Sequence, residues 1–312
     1  MKKAFIFLLK AIGVIAIAIV LFLAIVFTVN VICNKLEKSK IEPYGQLVPV
    51  DGKNMNVTIH GNGEETVVLL PGYGTAAPGI DFKPLVDELS PFYRVVVIEP
   101  FGYGLSDITE KERSIENIVS EVHECLQQLN IDRYILMGHS ISGIYSLDYV
   151  NKYKNEVSAF VGIDSSVPAQ GAGEELPTAA LKSLKQSGIF RLLVKLSPDQ
   201  IITPPGVDDE TKEQNRMITL KNMMNPNIIS EADHFPSNFN VAETLKFPKD
   251  LPVIFFLVKD NSDVEGWEAL HEEQIKDSLH GKMLLLEGDH YLHHTKSKEI
   301  VENFRSFMSE IK

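Results

Sequence analysis

The chain has 312 residues, with 30 Lys and Arg against 42 Asp and Glu and a hydrophobic share of 44%, which suits one large or two small globular domains behind an amino-terminal segment. No Asp or Glu precedes Glu37, so setting aside Lys2, Lys3 and Lys10 leaves 27 basic against 42 acidic residues, a formal charge of −15 that argues against nucleic acid and against charge-driven binding to anionic lipid. Only Cys33 and Cys125 are present, which excludes a disulfide framework or a cysteine metal site and leaves the redox compartment open.

Met1-Lys2-Lys3 and Lys10 lead into a run from Ala11 to Cys33 without a charged residue. As a helix rising 1.5 Å per residue that run is about 35 Å long, enough for a hydrocarbon core of about 30 Å. It exceeds the apolar part of a signal peptide, and Val29-Asn30-Val31-Ile32-Cys33 offers no small-x-small cleavage site, so residues 1–33 read as an uncleaved signal anchor. Flanking lysines nearly balance: Lys2, Lys3 and Lys10 before it, Lys35, Lys38 and Lys40 after it. The first hydrophobic segment often sets orientation, which puts the tail before Lys10 in the cytoplasm and the rest outside. Residues 34–46 read as a polar tether.

Leu47-Val48-Pro49-Val50, the turn Asp51-Gly52-Lys53 and Met55 to His60 carry a hairpin signal. Thr66 to Leu70 is an unbroken apolar run of the kind buried on both faces of a sheet, and it ends in Pro71-Gly72-Tyr73-Gly74. Helix and strand then alternate: a helix over Phe82 to Leu89, a strand over Arg94 to Ile98, a helix behind the N-cap Ser114, a strand over Arg133 to Met137, a helix from Ile144 to Tyr153, and a strand over Val157 to Ile163. Such alternation implies a mostly parallel sheet with helices on both faces. From about 168 to 248 no strand is convincing, and helical stretches such as Ala179 to Leu196 and Asp209 to Met224 are broken by prolines, which predicts a helical cap inserted at the carboxyl edge of the sheet. A strand over Val253 to Val258, a helix over Trp267 to Leu279, a strand over Met283 to Leu286 and a helix over Ser297 to Ile311 close the chain.

The stretch Gly138-His139-Ser140-Ile141-Ser142-Gly143 sits where a strand turns sharply into a helix. Small residues two positions either side of Ser140 suit a nucleophile elbow, although the final Gly of the usual Gly-x-Ser-x-Gly is displaced to Gly143. With it stand Leu69-Leu70-Pro71-Gly72-Tyr73-Gly74, Glu99-Pro100-Phe101-Gly102-Tyr103-Gly104-Leu105-Ser106 and Glu287-Gly288-Asp289-His290. In these four motifs, which follow one another along the chain in the family's order, the chain resembles the α/β-hydrolase superfamily from Leu47 to Lys312. The resemblance implies an α/β-hydrolase fold over residues 47–312, with Leu69 to Gly74 similar to the family's oxyanion loop, Pro71 standing where His is usual.

A neutral serine hydroxyl needs a base to attack a carbonyl, and His290, just beyond a strand and after Gly288, is the best candidate. His139 beside the serine should point away from its hydroxyl, since neighbours in a strand face opposite sides. The family's geometry implies backbone N–H donors at Tyr73 and Ile141 for the oxyanion. For the acid, the usual family position follows the strand Val253 to Val258 and favours Asp260, with Asp263 behind it; the Gly turn common there is missing, and Asp164 at the end of the preceding strand is nearly as good. The run His290-x-x-His293-His294 lacks a third ligand in sequence, so neither a metal nor an organic cofactor is expected. The expected function is a membrane-anchored serine hydrolase that cleaves a small-molecule carboxylic ester through an acyl-enzyme. Amide or amino-terminal proline cleavage is the enzymatic alternative, weakly motivated by Glu174 and Glu175, and a non-catalytic binding module on the same scaffold is the other.

Overall fold

The computed structural model of the protein describes residues 2–261 and 263–311. Helix α1 (Lys2–Lys38) is the one described helix long and apolar enough to cross a membrane. It continues beyond Cys33 into the stretch expected to be tether, because Asn34 to Lys38 contains no Gly or Pro and includes good helix formers.

Strands β1 (Gln46–Val50) and β2 (Lys53–His60) form the expected hairpin, followed by β3 (Thr66–Leu70), the short helix α2 (Pro78–Asp81), α3 (Lys83–Leu89) and β4 (Arg94–Glu99). Then come α4 (Ile115–Gln128), β5 (Tyr134–His139), α5 (Ser142–Lys152) and β6 (Val157–Ile163). The Ser114 hydroxyl accepts from the Asn117 N–H and caps α4. The inserted region holds α6 (Thr178–Gln186), α7 (Ile189–Leu196), α8 (Asp209–Asn222), α9 (Pro226–Asp233) and α10 (Phe235–Ala242). The single helix expected over Ala179 to Leu196 is two, broken at Gly188, whose φ of 84° lies in the left-handed region that glycine tolerates. The chain closes with β7 (Val253–Val258), α11 (Trp267–Ile275), β8 (Gly281–Leu286), α12 (Leu292–Thr295) and α13 (Ser297–Ile311).

The chain divides into two compact units. One contains the residues up to Glu42 together with Pro177–Ile202, the other Pro43–Leu176 with Thr203–Lys312. In the larger unit the eight strands run in the order β1-β2-β4-β3-β5-β6-β7-β8, antiparallel where β2 meets β1 and β4 and parallel from β4 to β8. Alternation along each strand splits the core. Val67 and Leu69 of β3 pack on one face with Leu85 and Leu89 of α3 and Phe304 of α13. Val68 and Leu70 face the other way, toward Ile118 and Val122 of α4 and Ile144 of α5. Each such fully buried side chain contributes about 1.5–3 kcal/mol.

Within this unit α8, α9 and α10 are tied to the loops at the strand ends by buried polar bonds. Asn222 Nδ2 donates to Gly104 O at 2.8 Å, Asn225 Nδ2 to Gly102 O at 2.6 Å and Asn227 Nδ2 to Thr109 O at 2.8 Å. Asn238 Oδ1 accepts from the Ile115 N–H at 2.8 Å. A row of asparagines therefore meets backbone groups that the loops leave unpaired, which fixes this part of the insertion over the carboxyl ends of the strands.

Candidate active site

Ser140 follows the last residue of β5 and has a φ of 53°, the strained left-handed backbone expected at the apex of an elbow. The turn is closed by the Gly143 N–H, which donates to Ser140 O at 3.0 Å, and by the Ser166 N–H, which donates to the same oxygen at 2.8 Å. The displaced glycine has a physical reason. A Cβ on Gly143 would lie 2.2 Å from Ser166 O, so the close approach of α5 to the end of β6 requires the glycine there. Ser142, at the position where glycine is usual, uses its hydroxyl: Oγ donates to Pro71 O at 2.5 Å and ties the elbow helix to the loop after β3.

That loop supplies the second part of the site. The Thr75 N–H donates to Gly72 O at 3.3 Å, closing a turn with Tyr73 and Gly74 at its centre, and Gly74 has the φ of 73° that such a turn asks of its third residue. A Cβ on Gly72 would come within 2.7 Å of His139 Nδ1 and 3.0 Å of Ser140 Cβ, so this loop lies directly against the elbow. Tyr73 is held in place by its hydroxyl, which donates to Ile228 O at 3.1 Å, and by an edge-to-face contact with Phe235. Ile141 is buried at the amino-terminal end of α5, where the first N–H groups of a helix have no partner within it.

Strands β5 and β6 pair in parallel with His139 beside Ile163, so Ser140 and Asp164 leave adjacent strand ends. Asp164 Oδ2 accepts from His290 Nδ1 at 2.6 Å. The other carboxylate oxygen accepts from the Val258 N–H at 3.0 Å and from Trp267 Nε1 at 3.1 Å. The carboxylate is almost fully buried, while the imidazole it holds is 45% exposed and open to a substrate. The bond runs to Asp164 and not to Asp260, the residue the sequence favoured. Asp260 is exposed on the turn after β7 with a φ of 61°, and Asp263 is exposed beyond it. No sequence pattern signalled that Trp267, the only tryptophan, would reach back to the end of β6.

His139 is buried, with its ring 4.7 Å from that of His290. Its Nε2–H donates to His290 O at 2.9 Å, which pins the backbone that carries the imidazole. Burial, with the neighbouring His293 and His290 adding to it, holds His139 well below its ordinary value, so it stays neutral. Behind it lies a cluster that sequence reasoning missed. Asp81 accepts from His293 Nε2 and His294 Nε2, both at 2.8 Å, and all three side chains are buried. Burial alone would raise the Asp81 carboxyl, but the two imidazoles outweigh it and keep it well below the usual carboxylate range. His293 itself is pushed down by burial, against the pull of Asp81. The separation of more than 200 residues between these partners left no local signal.

Asp81 is the third side chain that a metal reading of His293 and His294 lacked, and the three candidate ligand atoms lie within 4.8 Å of one another. The donors nonetheless suit hydrogen bonding better than coordination. A metal-bound imidazole ordinarily donates its other ring N–H to a partner, whereas His293 Nδ1 is buried with no hydrogen-bond partner.

Comparisons with known proteins agree with this architecture. Residues 65–200 match the family model described as the alpha/beta hydrolase fold. The uncharacterized protein YbdG of Bacillus subtilis is 27% identical over 300 residues, 88% of this chain and 89% of that protein. A 2-hydroxy-6-oxononadienedioate/2-hydroxy-6-oxononatrienedioate hydrolase of Escherichia coli is 29% identical over 140 residues, 43% of this chain and 49% of that enzyme's length. Among solved structures, a bromoperoxidase from Bacillus anthracis superposes with a TM-score of 0.65 at 17% identity, covering 85% of this chain and all of that one.

Proposed function

Since the chain carries the α/β-hydrolase fold, we propose that it is a serine hydrolase that cleaves carboxylic esters, held at the membrane by α1. The observation that carries this reading is the Asp164–His290 hydrogen bond, made at the strand end next to the one from which the strained Ser140 emerges. In the proposed reaction Ser140 Oγ attacks the ester carbonyl while His290 Nε2 takes its proton. Asp164 fixes the tautomer with the proton on Nδ1 and stabilises the imidazolium that forms. The backbone N–H groups of Tyr73 and Ile141 donate to the developing oxyanion. His290 then protonates the leaving alkoxide. Water, activated by the same imidazole, releases the acyl group from Ser140.

A second reading is favoured by the Escherichia coli relative, which is named as a hydrolase of an oxo-dienedioate. The same groups could serve cleavage next to a ketone carbon. A panel of esters graded in acyl length, run beside a vinylogous 1,5-diketone, separates the two: ester turnover that falls away in the Ser140→Ala protein supports the first reading, and turnover of the diketone alone overturns it. The helix α1 is read as a single-pass anchor from its length and its apolar run, and the larger unit is proposed to lie outside the cytoplasm. Neither nucleic acid nor a cofactor enters the proposed reaction.

A further inference from the structure

In the smaller unit, α1 and α7 meet largely through polar groups, with Val26 and Val194 also covered, and leave Leu193, Leu196 and most of the apolar side chains of α1 exposed, the reverse of a helix pair in water. Val26, Asn30, Cys33 and Glu37 are the better-covered positions near the end of α1, at the spacing of one helix face, and Asn30 is buried. Arg191 of α7 is buried against that face and uses three nitrogens on it. Its Nε donates to Asn30 Oδ1 at 3.0 Å, Nη2 to Asn34 Oδ1 at 2.6 Å and Nη1 to Glu37 Oε1 at 2.7 Å. Asn30 Nδ2 reaches Lys185 O at 3.4 Å, at the end of α6. The helices approach closely where Gly188 begins α7: a Cβ there would lie 2.7 Å from Asn30 Cβ and 2.8 Å from Val26 O.

Apart from Arg191 and Lys195, four residues apart and so on one side, every residue of α7 is apolar: Ile189, Phe190, Leu192, Leu193, Val194 and Leu196. The arginine side is the one turned to α1. Leu193 is 38% and Leu196 71% exposed. The latch spans residues 30 to 37, about 10 Å of α1, where its uncharged run gives way to Lys35, Glu37 and Lys38 and a membrane-spanning helix would leave the hydrocarbon. An arginine at that depth is tolerated when paired, and an adjacent amphipathic helix with a broad apolar face has the character of an interfacial element.

We propose that α7 is a membrane-interface helix whose apolar face, Leu193 and Leu196 foremost, seats in the headgroup–acyl boundary of the bilayer that α1 crosses, with Arg191 latching it to the emerging end of α1. The partner is the lipid bilayer, chosen because the exposed face belongs to a helix packed against α1, whose own apolar side chains are exposed along nearly its whole length. The inference rests on the reading of α1 as an anchor and adds to it a second contact with lipid, contributed by a segment from the middle of the chain.

The test uses the full chain in phosphatidylcholine vesicles, with Cys33→Ser as background and Cys125 left in the core. Single cysteines at Ile15, Leu193, Leu196 and Glu302 carry a fluorophore, read with aqueous iodide and with nitroxide-bearing lipid. Labels at Leu193 and Leu196 should be quenched by the nitroxide lipid, as at Ile15, and by iodide severalfold less than at Glu302. In an Arg191→Glu protein, which sets two carboxylates against each other, iodide quenching at Leu196 should rise toward that at Glu302; unchanged protection there overturns the latch. Full iodide access at Leu193 and Leu196 overturns the interfacial helix. Shielding from both quenchers also overturns it, since a second protein copy would then be the cover. Ile15 separates the two readings: if its label escapes the nitroxide lipid, the anchor itself fails, and if only the α7 labels escape, the anchor stands without the present inference.

Discussion

Asp164 divides its work between its two oxygens, and that division makes its amide variant informative. Oδ1 accepts from Val258 and Trp267 while Oδ2 faces His290. In Asp164→Asn the remaining carbonyl oxygen can keep the first two bonds and turn its NH2 toward Nδ1, which forces the imidazole proton onto Nε2, where the base should be free. Ester turnover should fall by about 10⁴-fold with the melting temperature nearly kept, whereas Asp260→Asn, at an exposed turn, should leave turnover within a factor of about two. Steady-state kinetics and a melt on both proteins check this; an inactive Asp260→Asn beside an active Asp164→Asn would return the acid to the later strand. Sequence could not decide between the two. Both aspartates end strands, and what distinguishes them is burial and a tryptophan more than 100 residues from Asp164. The missing glycine before Asp260 was the one local sign, and it agrees with the hydrogen bond that Asp164 makes to His290.

At the scale of elements, the segment between β8 and α13, which includes α12, is tied to α2 and to β5 by side-chain hydrogen bonds. Asp81 at the end of α2 takes the Nε2–H of both His293 and His294, and His139 from β5 takes the carbonyl of His290. Asp81→Ala leaves two buried imidazole donors unpaired and should cost about 3 kcal/mol of stability, read as a shift in a denaturant midpoint. Turnover should fall as well, because the backbone carrying His290 loses its footing. An unchanged midpoint would show the cluster to be incidental. The pH dependence has a definite sign. The folded Asp81 carboxyl is held below its unfolded value of about 3.9, so its contribution is complete above that value and is lost as the pH falls below it. The stability gap between the unaltered protein and Asp81→Ala should therefore narrow below about pH 4; a gap that narrows instead toward alkaline pH would contradict the assignment. Much of the element order was legible, because buried parallel strands such as Thr66–Leu70 and Val253–Val258 read as continuous apolar runs and their helices as periodic ones. The insertion was legible only as helical. Gly188 hid a break inside a continuous pattern, and nothing local showed that α7 would join α1 while α8 to α10 would join the sheet loops.

For the whole molecule, the proposed function combines catalysis by the larger unit with a helix read as crossing a bilayer, and puts the larger unit outside the cytoplasm. Protease added to intact cells should degrade the larger unit without permeabilisation; protection until the membrane is opened would reverse the orientation. The shared fold does not name the substrate, since similar scaffolds carry different chemistries. Chemistry at one atom is the claim on which the rest depends. The most direct test exposes the protein to a fluorophosphonate and locates the adduct by peptide mass spectrometry, beside a Ser140→Ala protein of unchanged melting temperature. The account predicts a single adduct on Ser140, absent from the variant together with its ester turnover. A folded Ser140→Ala protein that still labels and hydrolyses esters at the unaltered rate would contradict it.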